Sequence, residues 1–293
     1  MRKEIFVPGR TELAGNHTDH QNGRILASAV DLGLYASYEA NGSGLIRVHS
    51  DGFPPFELKL NRLGVTAMEY GSPKSLVRGL VAGFSDLGLA VGGFDASVHS
   101  TLPIGSGLSS SAAFAVLMGK ILSELFNDGT VDPLVIARAA QQAENRFFGK
   151  PCGLMDQMAS AVGNMVTIDF FDKENPVIES VDFDFASCGH ALCIIDSRAS
   201  HADLTDEYAA ITIELKNICS FFGKDVLTQI DEKDFISNMA QLREQFGDRA
   251  VLRAYHFYKE NARVPQQVAA LRSGDFDRFL QLVKQSGYSS WMY

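Results

Sequence analysis

The sequence has few cysteines, and their spacing gives no framework for disulfides or metals. There are four of them, with no Cys-x-x-Cys pair: Cys152, Cys188, Cys193 and Cys219. Zinc sites and small secreted domains use denser and more regular patterns. We therefore expect reduced thiols and a cytoplasmic protein.

Long apolar runs are also missing. No stretch of about 18 apolar residues occurs, so we expect no membrane-spanning helix. The opening segment, MRKEIFVPGR, lacks the apolar core of a secretory signal peptide. Both absences predict a protein that has no membrane as a partner.

An excess of positive charge is the third absence. The chain has 26 Lys and Arg against 35 Asp and Glu, for a net charge of -9. Such a balance argues against general binding to nucleic acid or to anionic lipid surfaces, since both need clustered cations. A local basic pocket for a single phosphate is still compatible with it.

The rest of the composition is that of a globular protein with room for two domains. Of 293 residues, 46% are hydrophobic and 21% charged. The spacing of hydrophobic residues predicts many strands up to about residue 190 and mainly helices after it. We therefore place a domain boundary there, between 1–190 and 191–293. Predicted strands are 25–40 in part, 44–50, 56–60, 94–103, 165–172, 177–185 and 190–197; predicted helices are 72–89, 109–126, 133–149, 204–222, 232–245, 249–261 and 274–285.

A polar cluster near the start is the first informative stretch. Residues 8–23, PGRTELAGNHTDHQNG, combine Arg, Asn, His, Asp and Gln with three glycines. A solvated loop and a binding site for a small polar ligand would both look like this. A metal site built from His17, Asp19 and His20 is disfavoured, because the three are crowded on one loop and no other cluster completes four-coordination.

The second informative stretch is a glycine-serine loop before an apolar helix. In LPIGSGLSSSAAFAVL, residues 102–117, a strand ends at a glycine turn and serines open a helix. Free N–H groups and the helix dipole at such a point bind phosphate. The stretch is neither a GxxxxGK[ST] loop nor a GxGxxG loop. An ordinary serine-capped helix would give the same letters.

Two acidic residues follow in AENRFFGKPCGLMDQMAS, residues 143–160. Phosphoryl transfer needs Mg²⁺ on the phosphates, a carboxylate near the attacking hydroxyl and a cation for developing charge. Glu144 could ligate the metal, Asp156 could act as base and Arg10 could supply the cation. The plainer alternatives are that Asp156 caps a helix and that Glu144 is a surface residue.

Together these stretches resemble the GHMP kinase superfamily and, within it, the galactokinases. GRTELAGNHTDH is similar to the family's GRVNLIGEHTDY, LPIGSGLSSSAA to LPxGxGLSSSAA, and PCGLMDQ to PCGIMDQ. The resemblance implies an α+β, two-domain fold: a mixed sheet with helices in the N-terminal nucleotide and sugar domain, and a helix-rich, incomplete C-terminal domain. It also implies an ATP-dependent sugar kinase of galactose metabolism that phosphorylates the anomeric hydroxyl of galactose or a related sugar.

The resemblance assigns roles to individual positions. Asp156 would be the base and Arg10 the charge stabiliser. Ser111 and Glu144 would bind Mg²⁺, with Ser110 as the competing serine. The sugar-contact positions are Asn16, His17, Asp19, Gly153 and Tyr208. The phosphate loop comprises Gly105, Ser106, Gly107, Leu108, Ser109, Ser110 and Ser111.

Three departures from the family pattern leave alternatives open. Asn16 replaces a glutamate, so the sugar is not decided; the helix after Tyr208 lacks an arginine pair; and no third glycine-rich motif occurs before Tyr293. From the last we expect either a fragment of a longer protein or a naturally shortened chain, with an apolar surface that favours self-association. The alternatives are a regulator that binds ATP and sugar with little turnover, or a GHMP kinase that acts on another small alcohol.

Overall fold

The computed structural model describes residues 2–103, 107–193, 195 and 205–293, with the backbone alone at 205, 206 and 208. The chain forms two compact units that alternate along the sequence. The first comprises residues 2–11 and 29–164, and the second comprises residues 12–28 and 165–293. The domain boundary near residue 190 stays a prediction.

Mixed β-structure and helices make up the described chain, as the α+β prediction requires. The strands are β1 (Lys3–Ala14), β2 (Arg24–Ala40), β3 (Leu45–Ser50), β4 (Phe56–Lys59), β5 (Phe94–Ser100), β6 (Met165–Asp169) and β7 (Val177–Ser180). The helices are α1 (Pro73–Asp86), α2 (Ser110–Phe126), α3 (Pro133–Gln142), α4 (Met155–Val162), α5 (Thr205–Phe221), α6 (Glu232–Ser237), α7 (Met239–Arg272) and α8 (Phe276–Met292).

The sheet of the first unit is mixed. Its strands follow the order β4-β3-β5-β2, and β1 also pairs with β2. β3 and β5 run parallel, whereas β3 with β4 and β2 with β5 run antiparallel. Alternation decides which face is covered: on β3, Ile46 and Val48 are buried and Arg47 and His49 are exposed.

The helices of the first unit begin where local chemistry favours a helix start. The Ser72 hydroxyl accepts a hydrogen bond from the Ser75 N–H and Pro73 opens α1; Asp132 caps α3 in the same way. α2 is apolar on all sides and is buried along most of its length, as its sequence predicts.

Two segments of the first unit differ from the sequence-based expectation. β1 was not predicted, because Pro8 and Gly9 interrupt its alternation; pairing with β2 makes it a strand up to Ala14. The helix predicted over 133–149 ends as an α-helix at Gln142 and continues as a π-helical turn, Ala143–Phe148. Such turns widen the backbone and are frequent at functional sites.

The second unit is mainly helical. Residues 24–28 of β2 pair with β6, and β6 pairs with β7, both antiparallel. One apolar cluster gathers residues of α5, α6 and α7 around Phe235 and Phe257; another joins β6, α7 and α8 around Val264 and Phe279. α7 is interrupted at Gly247, whose φ is 84°.

The strand predicted over 190–197 is wrong for the part that can be assessed. Residues 190–193 are not in a strand, and 194 and 196–197 lie outside the described residues. The helices predicted over 204–222 and 274–285 are confirmed as α5 and α8. No helix within the described ranges is both long and apolar enough to cross a membrane.

The packing of α1 against the π-helical turn gives a stability test. A Cβ at Gly79 would lie 2.7 Å from the Ala143 Cα, whereas one at Gly83 would lie 3.3 Å from the Ala139 Cβ. Gly79→Ala should lower the free energy of unfolding by about 1–3 kcal/mol through overpacking. Gly83→Ala should change it by less than about 1 kcal/mol, since helix propensity offsets the tighter contact. Urea denaturation measures both; equal effects would contradict this close approach.

Candidate active site

An arginine of β1 and an acid of α4 form an ion pair in the first unit. The Arg10 Nε and Nη2 lie 2.8 and 2.6 Å from the Asp156 Oδ1, and the side chains are 13% and 19% exposed. The Arg10 Nη1 also donates to the Gly107 carbonyl at 2.9 Å. The predicted catalytic pair is therefore in contact, and its arginine also contacts the predicted phosphate loop.

The second oxygen of Asp156 is held by the serine loop. The Ser109 hydroxyl donates a hydrogen bond to Asp156 Oδ2 at a distance of 2.5 Å. The φ of Ser109 is 55°, a left-handed conformation that a non-glycine residue seldom adopts. Ser109 occupies the N-cap position of α2, but its side chain makes no capping bond. The serine-capped-helix alternative is therefore wrong, and so is Asp156 as a cap, because Leu154 precedes α4.

A second carboxylate is buried next to this loop. Glu144, in the π-helical turn, is 1% exposed, so the surface alternative is wrong. Ser111 Oγ donates to its Oε1 at 2.5 Å, and the Gln157 amide donates to its Oε2. Among the described residues, no cation lies within salt-bridge distance of Glu144. A buried carboxylate without a cation is costly unless a ligand completes it.

Cys152 lies against the same carboxylate. Its thiol is 3.6 Å from Glu144 Oε2, and burial, followed by the nearby Glu144 charge, raises the pKa of Cys152 to about 12. The thiol is therefore protonated near neutral pH and donates a weak hydrogen bond. The predicted sugar residue Gly153 follows it, two residues before α4 begins.

The structure describes the predicted phosphate loop from Gly107 onward, and Gly105 and Ser106 lie outside the described residues. Gly107 has φ 73°, Leu108 is buried, and Ser110 is exposed at the start of α2. The N–H groups of this first turn have no intrahelical acceptors, and the helix dipole is positive there. Of the two competing serines, Ser111 contacts Glu144.

In the second unit, the predicted sugar residues Asn16, His17 and Asp19 lie on a tight loop. Gly15 has φ 95°, and a Cβ there would lie 2.4 Å from the Arg24 carbonyl oxygen, so no other residue fits. Thr18 Oγ1 donates to the Gly15 and Arg24 carbonyls. The loop is therefore closed on the start of β2 rather than being a loose, solvated segment.

His17 combines an unusual backbone conformation with a shifted pKa. Its φ is 60°, and its ring lies 5.9 Å from the ring of His20. Burial, with smaller contributions from His20, His256 and Arg253, lowers the pKa of His17 to about 4. Its imidazole is therefore neutral at pH 7 and can both donate and accept a hydrogen bond.

The remaining candidates are less defined. Tyr208 lies on α5, and its side chain is outside the described part.

Within the described residues, no group of three or more His, Cys, Asp and Glu is arranged to hold a metal ion. A cavity of about 400 Å³ on the sheet of the first unit contains none of the predicted residues, and one of its cations, Arg47, pairs with Glu57 and Asp95.

Some contacts at these sites were not expected from the sequence. Gln157 belongs to the PCGLMDQ motif, yet only its contact with Glu144 shows what it does. His256 and Glu260 on α7 bond to the backbone of the Gly15–Asn16 segment. No motif marks these two, because they are about 240 residues away along the chain.

The chain matches two family models and several known proteins. Residues 75–164 match the family described as GHMP kinases N terminal domain, and residues 3–40 match the galactokinase galactose-binding signature. The galactokinase of Glaesserella parasuis is 30% identical over 292 residues, which cover 97% of this chain and 73% of the relative. That of Bacillus subtilis is 31% identical over 298 residues, with 97% and 73% covered.

Solved structures show the same fold. The galactokinase of Lactococcus lactis, complexed with galactose, superposes with a TM-score of 0.80 at 23% identity, covering 98% of this chain and 74% of that one. The phosphomevalonate kinase of Streptococcus pneumoniae superposes with a TM-score of 0.62 at 14% identity, with 98% and 79% covered. The fold is that of the GHMP kinases, a class of ATP-dependent kinases. Within that class, the chain belongs to the galactokinase family of sugar kinases.

The buried His17 predicts a pH dependence of stability. Unfolded histidine takes up a proton near pH 6.5, whereas folded His17 does so only near pH 4, so the unfolded state binds more protons between these values. The free energy of unfolding should therefore fall as pH drops from 6.5 to 4, by at most about 3 kcal/mol from this residue.

Urea denaturation at several pH values measures the slope, with His17→Gln reducing it. A smaller slope should persist in that variant, because burial also lowers the pKa of His256. His99→Gln, at an exposed residue of β5, is the control. Identical slopes for wild type and His17→Gln would contradict a buried, neutral His17.

Proposed function

We propose that this chain transfers the γ-phosphoryl group of ATP to the anomeric hydroxyl of galactose. The observation that supports it most directly is the partly buried Arg10–Asp156 pair, with Ser109 on the second carboxylate oxygen. Phosphoryl transfer needs a carboxylate near the attacking hydroxyl and a cation for developing charge, and this pair supplies both at a glycine-serine loop. The match to the galactose-binding signature supports galactose as the acceptor.

Asp156 is the proposed base. Its Oδ1 is occupied by the Arg10 guanidinium, which leaves Oδ2, where the Ser109 hydroxyl donates, as the oxygen for an incoming hydroxyl. The sugar hydroxyl would replace Ser109 there, give its proton to Asp156 and form the new bond to phosphorus as the bond to ADP breaks. Arg10, held in place by Gly107, would stabilise the charge that develops on the transferring group.

Ser111 and Glu144 are the proposed Mg²⁺ ligands. A hydroxyl and a carboxylate are oxygen donors of the kind that Mg²⁺ prefers. The fit is supported by the burial of Glu144 and by its lack of a cation among the described residues, with Gln157 and Cys152 fixing the other oxygen. When bound, Mg²⁺ would neutralise charge on the ATP phosphates.

The backbone N–H groups at the start of α2 are the proposed phosphate cradle. Gly105, Ser106 and Gly107 would let the chain turn these groups toward the β- and γ-phosphates, with Leu108 buried as the anchor of the loop. Ser109, Ser110 and Ser111 complete this loop in the proposal.

The proposed sugar contacts are Asn16, His17, Asp19, Gly153 and Tyr208. A neutral His17 and an amide at Asn16 offer donors and acceptors to hydroxyl groups, which themselves do both. Asn16 stands where the family has a glutamate, and the loss of a charged acceptor weakens a hydroxyl contact by about 1.5–3 kcal/mol. A cytoplasmic location and self-association through the helix-rich second half remain predictions of the sequence.

Replacing the base tests the proposal. Asp156→Asn should lower the rate of galactose phosphorylation at least about a thousandfold, because an amide cannot take up the proton. Mass spectrometry of sugar phosphate formed from Mg-ATP and a panel of hexoses measures it. The control is Asp86→Asn, at an exposed residue at the end of α1.

Wild-type turnover in Asp156→Asn would remove Asp156 as the base. No product from any sugar with the wild type would favour a protein that binds ATP and sugar without turnover. Product from another small alcohol alone would point to a different GHMP kinase activity.

The two adjacent serines separate the metal ligand from its neighbour. Ser111→Ala should raise the KM for Mg-ATP about tenfold and leave the KM for galactose within about twofold, because Ser111 is the serine of this pair whose hydroxyl donates to Glu144. Ser110→Ala, at the exposed neighbour, is the matched control. Initial rates at several Mg²⁺ concentrations measure both. A larger effect of Ser110→Ala would exchange the two assignments.

A further inference from the structure

A histidine of α7 binds the backbone of the loop that carries the proposed sugar contacts. His256 is 8% exposed, and its Nε2 lies 3.1 Å from the Asn16 carbonyl oxygen. A carbonyl only accepts, so Nε2 carries the proton and donates. The other ring nitrogen, Nδ1, then accepts from the Ser289 hydroxyl of α8 at 2.8 Å. A neutral imidazole makes both hydrogen bonds. Burial lowers the pKa of His256, which favours this neutral form.

A glutamate one helical turn further along α7 binds the N–H of Gly15, the residue before Asn16. Glu260 is fully buried, and its Oε1 accepts from the Gly15 N–H at 3.2 Å and from the Ser286 hydroxyl at 2.7 Å. Its Oε2 pairs with Arg263, which balances the buried charge. The N–H of Gly15 and the carbonyl of Asn16 are thus both held by α7, since residues four apart lie on one helix face.

The loop has a conformation that needs such support. Gly15 and His17 both have positive φ, at 95° and 60°, on either side of Asn16. For a non-glycine residue such as His17 this region is sparsely populated and persists only when the surroundings impose it. A buried polar network whose members are satisfied is rigid enough to impose it.

We propose that His256 and Glu260 are positioning residues for sugar binding: by holding the Gly15–Asn16 backbone, they orient the side chains of Asn16 and His17. The inference rests on the proposed function, which assigns those two side chains to the sugar. Neither α7 residue touches the sugar in this proposal. Their loss therefore changes affinity for the sugar and leaves the reacting groups Arg10 and Asp156 unchanged.

Matched pairs of variants test the role of each hydrogen bond. Gln and Met have similar length, but only Gln keeps a donor at position 256 or an acceptor at position 260. His256→Met should raise the KM for galactose about tenfold and change the KM for ATP and the kcat by less than about twofold. His256→Gln should recover most of the loss. The same contrast is expected between Glu260→Met and Glu260→Gln.

A merely structural role gives a different result. Equal galactose KM values in His256→Met, His256→Gln and wild type would overturn the proposal, and so would parallel losses for galactose and ATP. If His256→Met does not fold, Ser289→Ala is the second variant. It removes only the donor to the histidine, and it should raise the galactose KM by about two- to fivefold.

Hydrogen exchange separates failure of this inference from failure of the proposed function. Without any ligand, the amide of Gly15 should exchange at least about tenfold faster in Glu260→Met than in wild type or Glu260→Gln, because it loses its acceptor. An unchanged rate would overturn the inference even if the wild type phosphorylates galactose. A wild type that makes no sugar phosphate, with the expected exchange, would overturn the proposed function and still establish the hydrogen bond from Gly15 to Glu260.

Discussion

A carboxylate that is withdrawn from water must find hydrogen-bond donors within the protein, and this constraint shapes every site described above. Asp156 accepts hydrogen bonds from an arginine and a serine, and Glu144 accepts them from a serine and an amide. Glu260 accepts them from a peptide N–H, a serine and an arginine. Each set of donors comes from separate segments of the chain, so satisfying one carboxylate fixes the relation of those segments. These hydrogen bonds offset the free-energy cost of burying each carboxylate, and they order the site.

The three carboxylates differ in what completes them, and the difference follows their proposed roles. Asp156 and Glu260 each have an arginine partner. Among the described residues, the donors to Glu144 are all neutral. An acid with a fixed cation keeps its place whether or not a substrate is bound. An acid without one is suited to an incoming cation, which is why the metal is assigned to Glu144.

Backbone conformation adds a second shared feature. Ser109 and His17 are non-glycine residues with positive φ, and each lies in a loop whose side chains are assigned to a ligand. Tertiary contacts maintain both: Ser109 bonds to Asp156, and the loop of His17 is held next to Asn16 by α7. Strain stored at such positions pre-organises polar groups for a ligand. In both units, therefore, the groups proposed to bind a ligand are held by contacts from distant residues.

The sequence by itself determined the class of fold, most helices and the residues of the kinase motifs. The helices depend on local patterns, such as the apolar run of α2 and the serine and proline that open α1, so neighbouring residues suffice. The class of fold and the motif residues were predicted from the resemblance to the GHMP kinases. Only the tertiary structure decided that β1 is a strand, that Glu144 is buried in a π-helical turn, and that His256 reaches the Asn16 backbone. Each of these depends on partners far along the chain, which leave no periodic or local trace in the sequence. The pairing of donors with buried acids is therefore a property of the folded chain.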